Sequence, residues 1–249
     1  MLRNDVRNVV VAGAHNIRDM GGLPTVDSRV TRSRILFRSD SLHTLEPEGV
    51  TFVAEELGVR RLIDLRSPEE ADREPPEALM ARGVEVVRLP IARNPSQGIV
   101  TGTDESELVG RYLEYFEEHG SKFVHALRLM AEAPEVPTMF HCRLGKDRTG
   151  VLASLLLSLL AVPSEHIVAD YVATNENMGP ILDALRVSPI YGENVRNMPP
   201  AMYAADQSTM HGFLNHLAGT FGTIDVWADS VGLNSDDRGR LRENLTVPA

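Results

Sequence analysis

The residues best equipped for chemistry stand together at His141-Cys142-Arg143-Leu144-Gly145-Lys146-Asp147-Arg148-Thr149-Gly150. Cys142 is the chain's only cysteine, and five residues separate it from Arg148. The strand-like run Pro137 to Cys142 precedes this segment, and a long apolar helical run follows from Thr149. A loop that leaves a strand and enters a helix can turn successive backbone N–H groups inward, and the helix N-terminus adds partial positive charge. That combination is an anion cradle. Arg148 can add a two-pronged guanidinium to phosphate oxygens, and Gly145 permits the tight turn. The same field should acidify Cys142, with the Thr149 hydroxyl placed to donate to the thiolate. A thiolate facing a bound phosphate is a nucleophile on phosphorus. The chemistry expected from these residues is attack by sulfur, a cysteinyl-phosphate, and later hydrolysis by water. A lone cysteine is ordinarily buried and inert, and a Lys-Asp-Arg run is ordinarily a solvated turn. Their combination at this spacing, ahead of Thr-Gly and an apolar helix, separates the segment from both bland readings.

The elements that must position the loop follow from the pattern of the chain. Short strands are expected at Asn8 to Ala12, Arg34 to Arg38, Val59 to Leu65, Val84 to Leu89 and Pro137 to Cys142, rich in β-branched and aliphatic residues. Helical patterns cover Thr44 to Leu57, with Pro47 near the start and Gly58 as the stop, and Glu105 to Ala133, broken near Gly120. Ile91 to Asp104 reads as a loop. Ser164 is expected to cap a helix after Pro163, and Met210 to Leu245 is again helical. Strands alternating with helices predict an α/β fold with a largely parallel central sheet flanked by helices. The chain is read as one domain over 1–249. The stretch 178–208, with Pro180, Pro189, Pro199 and Pro200, is expected to be irregular and is a candidate lid over the site.

With these residues in view, the segment His141 to Gly150 resembles the HCx5R signature of cysteine-dependent protein tyrosine phosphatases. Its fuller form, HCxxGKDRTG, is similar to that of the atypical bacterial and fungal tyrosine and lipid phosphatases. Asn16-Ile17-Arg18-Asp19-Met20-Gly21-Gly22 resembles that family's NFRDLGG element, Asp64 to Glu70 its DLRxxxE element, and Asp170-Tyr171 to Asn175 its DYxxTN stretch. The C-terminal region, with Asp236-Asp237 and Leu241-Arg242, is similar to its closing helix. The resemblance implies a tyrosine phosphatase-like fold with Cys142 as nucleophile, Arg148 as phosphate clamp and Asp147 as general acid. Arg143, Leu144, Gly145, Lys146 and Thr149 would then contact the phosphate, with Lys146 at the mouth as a cation for further anionic groups. His141, Asn16, Arg18 and Asp19 would support the loop from behind. Members that take their acid from a Trp-Pro-Asp loop differ here, because the only tryptophan is Trp227, far downstream. Asp104 is the rival acid, and a salt bridge to Lys146 or Arg18 is the structural alternative for Asp147. Arg66 and Glu70 are expected to pair across a helical turn, and Arg38, Ser39 and Asp40 either line the cleft or pair structurally.

Composition sets the outer bounds. The chain has 249 residues, 43% of them hydrophobic and 24% charged, and carries a net charge of -10. That charge disfavours a general nucleic-acid binder. The longest apolar stretch, Val151 to Val162, is shorter than the ~20 residues of a membrane span, and the N-terminus lacks the apolar core of a secretory signal. A cytoplasmic protein with no integral membrane segment is expected, leaderless secretion remaining open. The histidines His125, His166, His211 and His216 do not form a ligand set, so neither metal nor cofactor is expected. An arsenate reductase would need further cysteines for its redox cycle. A rhodanese-like sulfurtransferase fits the Asp-Arg-Thr-Gly ending poorly. A silent phosphate-binding module would typically lack the cysteine or the arginine. The expected partner is a phosphorylated substrate: a phosphoprotein, a phosphoinositide, or a phosphorylated small metabolite or nucleotide.

Overall fold

The computed structural model describes residues 7–92, 105–188, 191–197 and 202–249. Its centre is a five-stranded sheet of β1 (Arg18–Asp19), β3 (Leu36–Ser39), β6 (Thr138–His141), β4 (Arg61–Asp64) and β5 (Glu85–Arg88), in that spatial order. β1 runs antiparallel to β3, and the other pairings are parallel. A separate two-stranded ribbon joins β2 (Arg29–Thr31) to β7 (Thr246–Pro248).

Alternation along the strands sorts the core into two layers. Leu36, Ile63 and Phe140 face one side, with α6 (Asp147–Leu159) and the helices around it. Phe37, Leu62 and Met139 face the other, with α1 (Pro47–Thr51) and its π-helical continuation Phe52–Glu56. Covering both faces is what parallel strands require. Helix α6 has ten of its thirteen residues buried, so it lacks a solvent face and runs through the middle of its layer. It is packed by α4 (Glu105–Glu118), α7 (Ser164–Val172), α11 (Ile224–Ser230) and α12 (Ser235–Leu245). Each fully buried leucine there contributes roughly 1.5–3 kcal/mol.

The α/β architecture agrees with the sequence pattern, with local corrections. Asn8 to Ala12 forms isolated bridges from Asn8 and Val11 instead of a strand; Val10 is 96% exposed, with no layer to pack against. The helix after Pro163 begins at Ser164, whose side chain makes no cap. The pattern from Glu105 to Ala133 splits into α4 and α5 (Gly120–Met130), and Met210 to Leu245 falls within α10 (Gln207–Phe221), α11 and α12. Much of 178–208 is helical, in α8 (Asn175–Arg186) and α9 (Gly192–Asn197). Met178, Ile181 and Leu185 share one face of α8 and pack with Val195 and Tyr203, which outweighs Pro180 inside the helix. Two short helices, α2 (Pro68–Arg73) and α3 (Glu77–Met80), lie between β4 and β5. Among the described residues, no helix is long and apolar enough to cross a membrane.

Candidate active site

Strand β6 lies between β3 and β4, with Ser39 and Asp64 each in register with His141. The Cys142–Lys146 loop therefore leaves the C-terminal edge of the sheet with a strand end on either side, the usual place for a ligand in such sheets. Four successive loop carbonyls are bonded from outside. The Cys142 carbonyl accepts from His141 Nδ1 at 3.0 Å, Arg143 from the Ser41 amide at 3.1 Å, Leu144 from Asn16 Nδ2 at 3.0 Å, and Gly145 from Arg38 Nη2 at 2.6 Å. A trans peptide points its N–H opposite to its C=O, so the amides of Arg143, Leu144, Gly145 and Lys146 are turned inward. Among the described residues these four amides donate to no protein group. Gly145 has φ +67°, and a Cβ there would stand 2.6 Å from the Ser39 carbonyl oxygen, so only glycine closes this turn.

Behind the loop lies a buried ionic support. Arg38 donates to Asp170 as well as to Gly145. Arg18 donates to the Asp170 carbonyl at 3.0 Å, to Thr174 Oγ1 at 3.1 Å and to Asn16 Oδ1. Arg7 reaches Asp170 at 2.9 Å. Burial opposes the Asp170 charge, but Arg38, Arg18 and Arg7 outweigh it and hold the carboxyl well below the usual range. Buried charges must be matched in this way to be tolerated. Asn16 and Arg18 thus bond to the loop or to the groups behind it. Asp19 does not: its carboxylate accepts from the Gly21 and Arg34 amides, both at 2.8 Å, and staples the neighbouring turn. Asp40 is buried and accepts from the Asn16 amide at 3.0 Å, and burial raises its pKa.

Cys142, Asp147 and Arg148 line one cleft of about 170 Å³, together with Arg143 and Leu144. Glu70 is its acidic wall, and Tyr191 and Tyr203 close it from the 178–208 side. Arg148 donates both terminal nitrogens to Glu70, at 2.7 and 3.1 Å. Glu70 also accepts from the Ser67 amide at 2.8 Å, completing a capping box at α2, and from the Tyr191 hydroxyl at 3.0 Å. Burial would raise the Glu70 pKa; Arg148 and these donors bring it down to about 2. The expected Arg66–Glu70 pair is absent. Arg66 lies before the helix and grips Asp64, with Nη2 at 2.7 Å. Arg143 is paired with Glu74 and lies over the Tyr191 ring, 3.9 Å from its centroid.

Asp147 opens α6. Its Oδ1 accepts from the Tyr112 hydroxyl at 2.8 Å, and Tyr112 is bonded to Tyr171 at 2.7 Å. Because Tyr112 gives its proton to the carboxylate, Tyr171 is the donor to Tyr112. Burial raises the Asp147 pKa, but Lys146, the Tyr112 bond, Arg111 and Arg148 outweigh it and hold the carboxyl below its ordinary value. Lys146 is not at the mouth. It is fully buried, and its Nζ donates to the carbonyls of Met202 at 2.7 Å and Ala204 at 3.2 Å, 3.4 Å from Asp147. That amine ties the loop to the chain beyond α9. Thr149 Oγ1 is buried and has no partner among the described residues, so the expected bond to the Cys142 sulfur is not made here. His141 is buried, and burial pushes its pKa down to about 4, against the pull of Asp64. The neutral ring carries its proton on Nδ1, since the Cys142 carbonyl can only accept. Asp104, with most of the Ile91 to Asp104 loop, lies outside the described residues.

Sequence reasoning missed Glu70, Tyr112, Tyr171 and Tyr191 as site groups. Glu70 and Tyr171 stand within elements quoted for the resemblance, but their partners lie at the far ends of long separations. Tyr112 sits on an amphipathic helix pattern that marks it only as core.

Fold and loop together place a glycine-turned loop with inward amides, and the cleft that holds Cys142, at the edge of a largely parallel sheet. The chain belongs to the tyrosine phosphatase family, whose sequence pattern matches residues 9–247. It is 29% identical over 168 residues to a Cupriavidus necator protein with a provisional tyrosine-protein phosphatase name, covering 65% of this chain and 60% of that one. A tyrosine-protein phosphatase of Nostoc commune is 32% identical over 120 residues, 46% of this chain and 40% of its own. The triple specificity protein phosphatase PtpB of Mycobacterium tuberculosis is 26% identical over 196 residues, 67% of this chain and 68% of its own. The matches span less than two thirds of the first two relatives.

Proposed function

We propose that the protein is a cysteine-dependent phosphomonoesterase acting through a cysteinyl-phosphate. The observation that carries this reading is the set of inward amides from Arg143 to Lys146, unpaired among the described residues, in a loop whose cleft holds both Cys142 and Arg148. Phosphoryl oxygens accept from these amides and from Arg148 N–H groups not used by Glu70. Cys142 Sγ attacks phosphorus, the P–O bond to the leaving group breaks, and Asp147 gives the leaving oxygen its proton. Water then attacks the phosphorus of the cysteinyl-phosphate, its proton passes to Asp147, and the P–S bond breaks to release phosphate and thiolate. Donors fixed in advance around the developing charge are an effective way to stabilise such a transition state.

The charges around Asp147 favour its carboxylate form. A bound phosphate dianion adds negative charge beside it and offsets Arg148. Both effects raise its pKa and prepare it to act as an acid. From within 178–208, Leu185, Tyr191, Val195 and Tyr203 line the cleft and serve as its lid. Phosphotyrosine is the first substrate to try, since relatives are named for it, and a free thiol nucleophile suits the reducing cytoplasm. The test is turnover of 4-nitrophenyl phosphate by the wild type, compared with Cys142→Ser. The reading expects turnover only in the wild type, with orthophosphate binding in both. Phosphate binding without turnover in the wild type would instead make the loop a silent binding module.

A further inference from the structure

A second cavity, of about 200 Å³, adjoins the cleft, and Arg143 and Leu185 line both. One wall is apolar, formed by Ile181, Ala184, Leu185 and Val187 of α8 and the turn after it. The opposite wall, with His15, Asp40, Ser41, His43, Thr44 and Glu74, is polar, and most of these groups already have partners. Ser41 Oγ accepts from Arg66 at 3.1 Å and is hydrogen-bonded to His43 Nδ1 at 3.0 Å. The other His43 nitrogen lies 3.4 Å from Glu74, which also holds Arg143. Burial, with Arg143 and Arg66 adding to it, pushes the His43 pKa down to about 4 and keeps the ring neutral. Asp40 is held by the His15 and Asn16 amides. Against the single guanidinium of Arg143, already paired and stacked, stand the two carboxylates of Asp40 and Glu74.

We infer that this side cavity is a subsite for an uncharged, apolar extension of the leaving group, so that the favoured substrates are phosphomonoesters of extended aromatic or aliphatic alcohols and not polyphosphorylated ones. The inference rests on the phosphatase reading above and narrows it. An apolar cavity of roughly 150 Å³ suffices for a benzene ring, so the space matches a phenyl-sized group. Among the described lining residues a second phosphate would meet two carboxylates, with no lysine and no unpaired arginine to offset them. The one lysine that suggested polyanionic substrates, Lys146, is spent on backbone carbonyls.

The experiment compares kcat/KM for phenyl phosphate, 4-biphenylyl phosphate and 1,3-phenylene bisphosphate in the wild type and in Ala184→Trp, whose indole fills the cavity from α8. The wild type is expected to favour the biphenylyl ester over the phenyl ester by about tenfold or more, the scale of burying one added ring. The bisphosphate should be no better than phenyl phosphate. In Ala184→Trp the preference should fall to about one while phenyl phosphate turnover is unchanged, which also reports a folded protein. If that variant loses phenyl phosphate turnover as well, Thr44→Trp, from the opposite wall, provides the same comparison. A preference for the bisphosphate, a wild-type ratio near one, or a ratio unmoved by filling the cavity overturns the subsite. Failure of the wild type to hydrolyse any of the three overturns the phosphatase reading itself.

Discussion

Glu70 receives both terminal nitrogens of Arg148, Nη1 on Oε2 at 2.7 Å and Nη2 on Oε1 at 3.1 Å. The pair joins the N-terminal turn of α2 to that of α6, and fixes the plane of a guanidinium that shares a cleft with Cys142. An arginine has more N–H groups than these two bonds use, so a pre-oriented fork remains for phosphate. Glu70→Ala should therefore weaken orthophosphate binding by about tenfold or more and raise KM, as measured by calorimetry and steady-state kinetics. Tighter phosphate binding in that variant would show Glu70 to be a competitor for Arg148 instead.

The acid can be tested by leaving group. Asp147→Asn should lower turnover of an alkyl phosphate by ~10²–10⁴-fold, because an alkoxide needs the proton, while 4-nitrophenyl phosphate falls much less. Tyr112→Phe makes a finer test. Its hydroxyl bond favours ionised Asp147, so its removal raises the Asp147 pKa. An acid is active while protonated, so the basic limb of the kcat profile should move to higher pH. A bond to a charged group worth about 1.5 kcal/mol corresponds to a shift of about one unit. A uniform loss on both substrates in Asp147→Asn, with a selective loss in Asp104→Asn, would move the role to Asp104.

The ionic support behind the loop should appear in stability. Asp170 has a folded-state pKa below its ordinary 3.8, so its contribution is complete above that value and is lost as pH falls further. Asp170→Asn leaves Arg18 and Arg38 buried without their counter-charge, at a cost of about 3–5 kcal/mol near neutral pH. Thermal melts should show a lower Tm for the variant at pH 7. Its decline in Tm between about pH 5 and pH 2.5 should be shallower than in the wild type. Equal Tm values at pH 7 would show the hub to be unimportant.

Much of this arrangement was legible in the sequence, for reasons that also mark where legibility stops. The loop could be placed because strand, glycine turn and apolar helix are adjacent in the chain, and the cleft does bring Cys142, Asp147 and Arg148 together. The Arg66–Glu70 expectation failed because an i,i+4 rule assumes a helix throughout. Ser67 caps the helix, so Arg66 lies outside it and Glu70 is free to reach Arg148, 78 residues away. Nothing local marks Lys146 as buried, because its acceptors lie 56 and 58 residues further on. The role of Asp170 was hidden in the same way, since the arginines around it come from positions 7, 18 and 38. Local pattern exposed the Cys142–Lys146 loop; the charges that hold it are tertiary, and no periodicity announces them.

The central claim is a covalent bond between Cys142 sulfur and phosphorus. The direct measurement is acid quench of the wild-type enzyme during turnover of 4-nitrophenyl phosphate, followed by peptide mass spectrometry. The account predicts one added phosphoryl group on the peptide containing Cys142, formed and lost on the timescale of turnover and missing from Cys142→Ser. Undiminished turnover in Cys142→Ser, or a phosphoryl group carried by a different residue, would contradict it.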